Sequence, residues 1–95
     1  MSKIYANQTD LTIKLDTKKD LSNTHVAKIA YKNPKGILGE WNATIDSPIN
    51  GIISYSIVSE LKYIGQWVIW AKTIDSQGLI SIGESSALYV YEQGN

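Results

Sequence analysis

The chain has no cysteine, no arginine and no phenylalanine, and it holds a single histidine, His25, and a single methionine. Without cysteine there is no disulfide, no thiolate metal ligand and no cysteine nucleophile. One histidine excludes a multi-histidine metal site, and no cofactor is expected. The missing arginine removes the side chain best suited to bidentate recognition of phosphate or guanine. Nine lysines balance nine carboxylates, five Asp and four Glu, so no net charge draws the chain to nucleic acid or to an anionic membrane. Long apolar runs are also missing, and residues 1–7 contain no apolar h-region, so neither a membrane span nor a secretory signal is expected.

What remains is a 95-residue chain sized for one domain, 1–95. It reads as short segments of period-two alternation separated by turn signals, the pattern of an all-β sandwich of about six or seven strands. Leu11, Ile13 and Leu15 alternate with Thr12 and Lys14. Leu21 stands alone in a charged loop and is expected to fold back as a plug. Ala27, Ile29 and Tyr31 share one face, with Lys28 and Lys32 on the other. Trp41, Ala43 and Ile45 point inward from a run over 39–46. Turns are expected at Asn33-Pro34-Lys35-Gly36, at Asn50-Gly51 and at Asp75-Ser76-Gln77-Gly78, where Asn, Asp, Pro and Gly meet the backbone demands of tight connections. Ile57, Leu61 and Ile64 fall at helical spacing and predict one helical turn closing an end of the core. A bulge or kink is expected near Gly83. Segments 1–8 and 92–95 read as weakly ordered tails. The layers add up to an immunoglobulin-like antiparallel β-sandwich, with a small barrel as the alternative.

Catalytic constellations are sparse. His25 lacks partners for a dyad or triad in the linear pattern. Asp16 and Asp20 are separated by Lys18 and Lys19, which argues against a shared cation. Gly36 and Gly39 lead into a strand and not into a helix N-terminus, so they do not make a phosphate-binding loop. No enzymatic activity is expected.

The aromatic residues say more. Three Trp and six Tyr give every aromatic ring a polar tip, which suits half-buried positions at interfaces. Trp67 and Trp70 are three apart on one strand and must face opposite sides of a sheet. With Trp67, Ile69 and Ala71 inward, Val68, Trp70 and Lys72 face outward. Leu88 and Val90 then point inward on the returning strand, leaving Tyr89 and Tyr91 on the outer face. Val68, Trp70, Lys72, Tyr89 and Tyr91 are therefore the candidate partner interface, an exposed apolar-aromatic patch of the kind that marks protein contact.

Read in order, Leu11-Thr12-Ile13-Lys14-Leu15-Asp16, Asp20-Leu21-Ser22, Ala27-Lys28-Ile29-Ala30-Tyr31-Lys32-Asn33-Pro34-Lys35-Gly36, Gly39-Glu40-Trp41-Asn42-Ala43-Thr44, Asn50-Gly51-Ile52-Ile53-Ser54-Tyr55, Gly65-Gln66-Trp67 and Gly83-Glu84 resemble the small immunoglobulin-like modules of tailed-bacteriophage virion proteins, including the N-terminal module of baseplate upper proteins. The resemblance implies a non-enzymatic virion component, made in the host cytoplasm, that decorates a capsid or tail. Its expected partners are phage capsid or tail proteins, or a second copy of itself, with no nucleic acid and no membrane. A glycan-binding or host-surface adhesion module is the alternative expectation.

Overall fold

Alternation along the longest strand decides which surface of the fold is buried. In the computed structural model, which describes residues 3–58 and 60–94, strand β7 (Gly65–Asp75) buries Trp67, Ile69, Ala71 and Thr73 and leaves Val68, Trp70, Lys72 and Ile74 partly exposed on its other face. Eight further strands complete the described chain: β1 (Ile4–Tyr5), β2 (Thr12–Asp16), β3 (Thr24–Lys32), β4 (Leu38–Asn42), β5 (Thr44–Ser47), β6 (Ile52–Ser56), β8 (Ile80–Ile82) and β9 (Ser86–Tyr91). No helix occurs among the described residues. The large sheet has the order β1-β9-β7-β3-β4, with β8 also paired to β7, and the small sheet has the order β2-β6-β5. All pairings are antiparallel except β1 with β9. The chain is thus an all-β, immunoglobulin-like sandwich.

Two of the expected strands appear as pairs of elements because of local breaks. The run over 38–47 changes sheets at Ala43: β4 pairs with β3, β5 pairs with β6, and the Ala43 N–H donates to the Ala27 carbonyl at 3.0 Å. The run after the β7 turn is broken at the expected kink. Ile82 pairs with Lys72 and Ser86 with Ile69, so Gly83, Glu84 and Ser85 face only Trp70 and Ala71 across a one-residue bulge. The Gly83 N–H donates to the Ala71 carbonyl at 2.9 Å. Counted as continuous runs of chain, the nine elements reduce to seven.

The two sheets enclose an aromatic hub. The Trp41 ring stacks on Tyr55 (centroids 5.2 Å, 11° between planes) and packs against Tyr31 at 4.7 Å and Trp67 at 6.2 Å. The Trp67 indole N–H donates to the Tyr63 carbonyl at 3.0 Å. Gly39 lies directly across from Tyr31 in the β3–β4 ladder, and the Tyr31 ring occupies the space a Cβ would need. Leu21 is the expected plug, 1% exposed. Its loop is held by the Asp20 carboxylate, which accepts the Ser22 N–H at 2.8 Å, and by the Leu21 N–H donated to the Pro48 carbonyl.

The turns at Asn33 and Asp75 share one construction. Each side-chain oxygen accepts two backbone N–H groups, from Lys35 and Ile37 in one case and from Gln77 and Leu79 in the other, and each turn exits through a glycine at positive φ.

Two expectations need correcting. No helical turn occurs among the described residues of 57–64. The Glu60 carboxylate takes the Val58 N–H at 2.8 Å and the Tyr55 hydroxyl at 2.7 Å, a local alternative to helical bonding, so Ile57 and Leu61 reach the core while Ile64 stays half exposed. The segment expected as an N-terminal tail, 1–8, is docked over its described part. Ile4 and Tyr5 pair with Val90 and Tyr91, Ala6 is buried, and the Ala6 and Asn7 N–H groups donate to the Tyr91 and Leu61 carbonyls. Of the expected tail 92–95, Gln93 donates to the Ala6 carbonyl at 2.9 Å, while Met1, Ser2 and Asn95 lie outside the described residues.

The opposite placements of two tryptophans give a direct check. Trp67→Ala is expected to lower stability by roughly 3–5 kcal/mol, as for a buried aromatic side chain, and Trp70→Ala by no more than about 1 kcal/mol, as for a surface position. Urea denaturation of both variants tests this, and equal losses would show the faces to be assigned wrongly.

Candidate functional site

The outer face of the large sheet is set by register. From β7 it receives Gln66, Val68, Trp70 and Lys72. Across the ladder from β3, Lys32 stands opposite Val68, Ala30 opposite Trp70, and Lys28 opposite Lys72. β4 adds Leu38 beside Lys32, Glu40 beside Ala30 and Asn42 beside Lys28, while β9 adds Ala87 beside Val68 and Tyr89 beside Gln66. Leu38 is 67% exposed and Tyr89 50%, whereas Ala30, between Trp70 and Glu40, is buried. Among the described residues no ring stacks on Trp70 and no hydrogen bond holds its indole N–H.

Charge on this face is organised around one carboxylate. Lys28 and Lys72 are direct cross-strand neighbours, an arrangement that like charges disfavour. Glu40 bridges them, accepting from the Lys72 ammonium at 2.8 Å and from the Lys28 ammonium at 3.3 Å. The Lys72 hydrogen bond, reinforced by Lys28, holds the Glu40 carboxyl below its ordinary range against the opposing effect of desolvation. Lys32 adds a further cation nearby, so the centre of the face keeps net positive charge.

All five residues expected at the interface lie on this outer face, but the structure gathers them in two groups. Tyr89 and Tyr91 form a tilted ring pair with centroids 4.7 Å apart, with the Lys3 ammonium 4.9 Å from the Tyr91 ring centre and Tyr5 across from it in the β1–β9 ladder. Val68, Trp70 and Lys72 form the second group, in which Lys72 is engaged by Glu40. The N-terminal strand runs along the β9 edge and pairs with Val90 and Tyr91 only. Leu38, Lys28, Lys32 and Glu40 belong to the site and were not in the expected set. Alternation already put Lys28, Lys32 and Glu40 outside, but only the β3–β4–β7 register sets them beside Trp70.

Away from this face, a cleft of about 520 Å³ lies between β2 with the loop after it and the bulged segment joining β8 to β9. Leu15 and Ala71 line it together with Lys14, Lys18 and Glu84. Its β2 end is shaped by the Asp16 carboxylate, which accepts the Lys18 N–H at 2.9 Å while Lys18 adopts φ 58°. Among the described residues no three of His, Cys, Asp and Glu come together to hold a metal ion, and His25 stands exposed on β3.

No protein-family model matches the chain, and no curated protein does. Among solved structures, CopC from Methylosinus trichosporium OB3b is similar, with a TM-score of 0.61 at 16% identity over 100% of this chain and 89% of that one. At this identity the likeness is one of fold. It corrects the expected function: a solved structure that shares the architecture over the whole chain is CopC, which is not a component of a phage particle, so neither the virion-decorating role nor its adhesion alternative is retained. The features behind the phage resemblance serve the fold itself. Asp20-Leu21-Ser22 is a capped plug, Asn33 to Gly36 is a side-chain-braced hairpin turn, Gly39 makes room for Tyr31, and Trp67 belongs to the hub.

The ion triad carries its own test. Because Glu40 titrates below the usual glutamate range, its favourable contribution is present above that range and disappears as pH falls through the depressed midpoint. Carbon-detected NMR titration should place the Glu40 midpoint below that of a free glutamate. Lys72→Met should raise it more than Lys28→Met, and equal or absent effects would dissolve the triad.

Proposed function

We propose that the chain is a non-catalytic protein-binding domain that engages an acidic partner surface on the outer face of its large sheet. The observation that carries this reading is Trp70, a partly exposed indole without a ring or hydrogen-bond partner among the described residues, set beside apolar Val68 and flanked by Lys28, Lys32 and Lys72, with Leu38 farther out beyond Lys32. Tryptophan in such a setting is the residue type that most often anchors protein interfaces. The surrounding lysines favour carboxylates on the partner and raise the encounter rate, an effect that salt weakens.

Size is compatible with this role. Five strands of 2, 6, 11, 9 and 5 residues, at about 4.8 by 3.3 Å per residue, give the face roughly 520 Å², below the ~800 Å² that each side of a standard interface buries and in the range of weak, transient contacts. The Lys28–Glu40–Lys72 triad then tunes the surface, because Glu40 spends part of the positive potential inside the site.

Fluorescence anisotropy with synthetic peptides of one Leu/Trp pattern, carrying either Glu or Lys at their polar positions, tests the proposal. The acidic set should bind and the basic set should not. Binding should weaken between 50 and 300 mM salt (on the order of a Debye-length change from about 14 to 6 Å), fall at least about tenfold in Trp70→Ala, and strengthen in Glu40→Gln. Equal binding of both sets, no binding of either, or unchanged affinity of Trp70→Ala would each refute it.

A further inference from the structure

Strand β2 is an open edge. In the small sheet it pairs with β6 alone, and the ladder runs without a break from Thr12 to Asp16. The Leu11 carbonyl accepts from Ile57 and the Thr17 N–H donates to Gly51, which fixes the parity of the ladder: the odd-numbered residues spend their backbone groups on β6. The N–H and C=O groups of Thr12, Lys14 and Asp16 therefore point away from the sheet, and no strand pairs with them among the described residues. β5, the opposite edge of the same sheet, is interrupted by a register shift between Ile45 and Ser47. β2 has no such irregularity, and a regular row of free donors and acceptors is a template for one more strand.

The space beside this edge is open. The cleft of about 520 Å³ lies between residues 14–18 and residues 82–86. One residue of a packed strand takes up roughly 160 Å³, given about 4.8 Å between strands, 3.3 Å along them and 10 Å between sheets, so the cleft admits about three. Lys18 adopts φ 58° and gives its N–H to the Asp16 carboxylate, which ends the extended run there. On the inner side Ile13 is already buried, whereas Leu15 is only half-buried and lines the cleft.

The charges on the edge select the occupant. Lys14 and Asp16 stand on the solvent face of β2, two residues apart and opposite in sign. The Lys14 ammonium reaches Asp46 only at 3.9 Å, with its side chain 66% exposed, and Asp16 uses one carboxylate oxygen on the Lys18 N–H. Both keep capacity for a further partner. Lys18 and Glu84, the remaining charged residues of the cleft, cancel each other. An antiparallel second β2 can be centred on each of the three middle residues with outward backbone groups meeting outward backbone groups. Centred on Lys14, the pairing opposes two lysines. Centred on Ile13, it opposes Lys14 to Thr12 and brings Asp16 toward Asp10. Centred on Leu15, it sets Lys14 against Asp16 on both sides of the two-fold axis and Leu15 against Leu15, so that opposite charges face each other and the half-buried leucine is covered.

We infer that two copies of this chain pair through β2, antiparallel and centred on Leu15, joining their small sheets into one continuous sheet. Each Lys14 exchanges backbone hydrogen bonds in both directions with the partner's Asp16, and the two side chains pair above them on the solvent side. The leucines close the inner side, where residues of a non-hydrogen-bonded pair stand nearest. A contact of this kind uses the same patch on both copies and is satisfied by a dimer, with no free edge left to propagate a fibre. β2 belongs to the small sheet and the Trp70 face to the outside of the large one, so the inference stands apart from what that face binds.

Sedimentation velocity of the full chain over about 10 to 500 µM provides the test, a range suited to the weak affinity of a short strand pairing. The weight-average mass should climb toward that of a dimer and no further, and the climb should weaken with salt. Lys14→Asp and Asp16→Lys each bring like charges together and should each lose at least about tenfold in self-affinity. Mixed one to one, the two variants should dimerise at least as well as the parent, because opposite charges then meet in both pairs. Cysteine substitution in this cysteine-free chain reads the register separately, should either charge variant misfold. Leu15→Cys should oxidise to a disulfide-linked dimer faster than Thr12→Cys, since only the former sets the two sulfurs across the axis at bonding geometry. A parent monomeric throughout, a mixture no better than its components, or Thr12→Cys cross-linking as fast as Leu15→Cys would overturn the inference.

Discussion

The pairing of β3 with β7 is the constraint on which the other features depend. It joins Lys32 to Val68 at one end and Thr24 to Asp75 at the other, and it holds Ile29 beside Ala71 on the inside while holding Ala30 beside Trp70 on the outside. A slip of one residue would exchange these faces, putting Trp70 and Lys72 against the small sheet and Trp67 into water. The hub formed by Trp41, Tyr31, Tyr55 and Trp67 resists such a slip, because its ring contacts tie β3, β4 and β7 to β6 of the opposing sheet. Core and candidate binding surface are thus two sides of one register.

Much of this was legible in the linear pattern, and the parts that were not share a cause. Alternation tells which face a residue takes, so Trp67 inside and Trp70 outside could be read directly, as could the plug at Leu21 and the bulge near Gly83. Alternation does not tell which residue lies alongside. Lys28, Lys32, Leu38 and Glu40 could be placed near Trp70 only once the ladders were known. The 57–64 segment misled for a different reason: apolar spacing suggested helix, but Glu60 offers its carboxylate to a nearby backbone N–H and to Tyr55 and so competes with helical hydrogen bonds. The docked N-terminal strand left little trace, since two residues in parallel pairing are too few to show a period.

The role drawn from the phage resemblance was overturned, and the same locality explains why. Its Pro-Lys-Gly turn, its Leu-Ser loop and its Gly-x-Trp strand start are solutions to problems that any small sandwich meets: a hairpin exit at positive φ, a plug for an open end, and a large ring between sheets. Features of that kind report the fold, and the similarity to CopC at low identity shows the same architecture reached with a largely different sequence. Function has to be argued from what the fold does not require.

Three features of this chain fall in that class. Trp70 contributes nothing to the buried hub, the Glu40 bridge holds together two lysines that the sheet alone would set in conflict, and the hairpin ends display aliphatic side chains where polar ones would serve the turns equally well. A natural sandwich protects exposed strand edges and turns with charge, proline or bulges. Here the bulge at Gly83 and the charge at Glu40 protect the middle of the molecule, while residues 79–82 run without a charge and Ile37 and Leu38 follow their turn unshielded. What the fold leaves unexplained at the centre is therefore Trp70 and the lysines around it, and that is the surface on which function is argued.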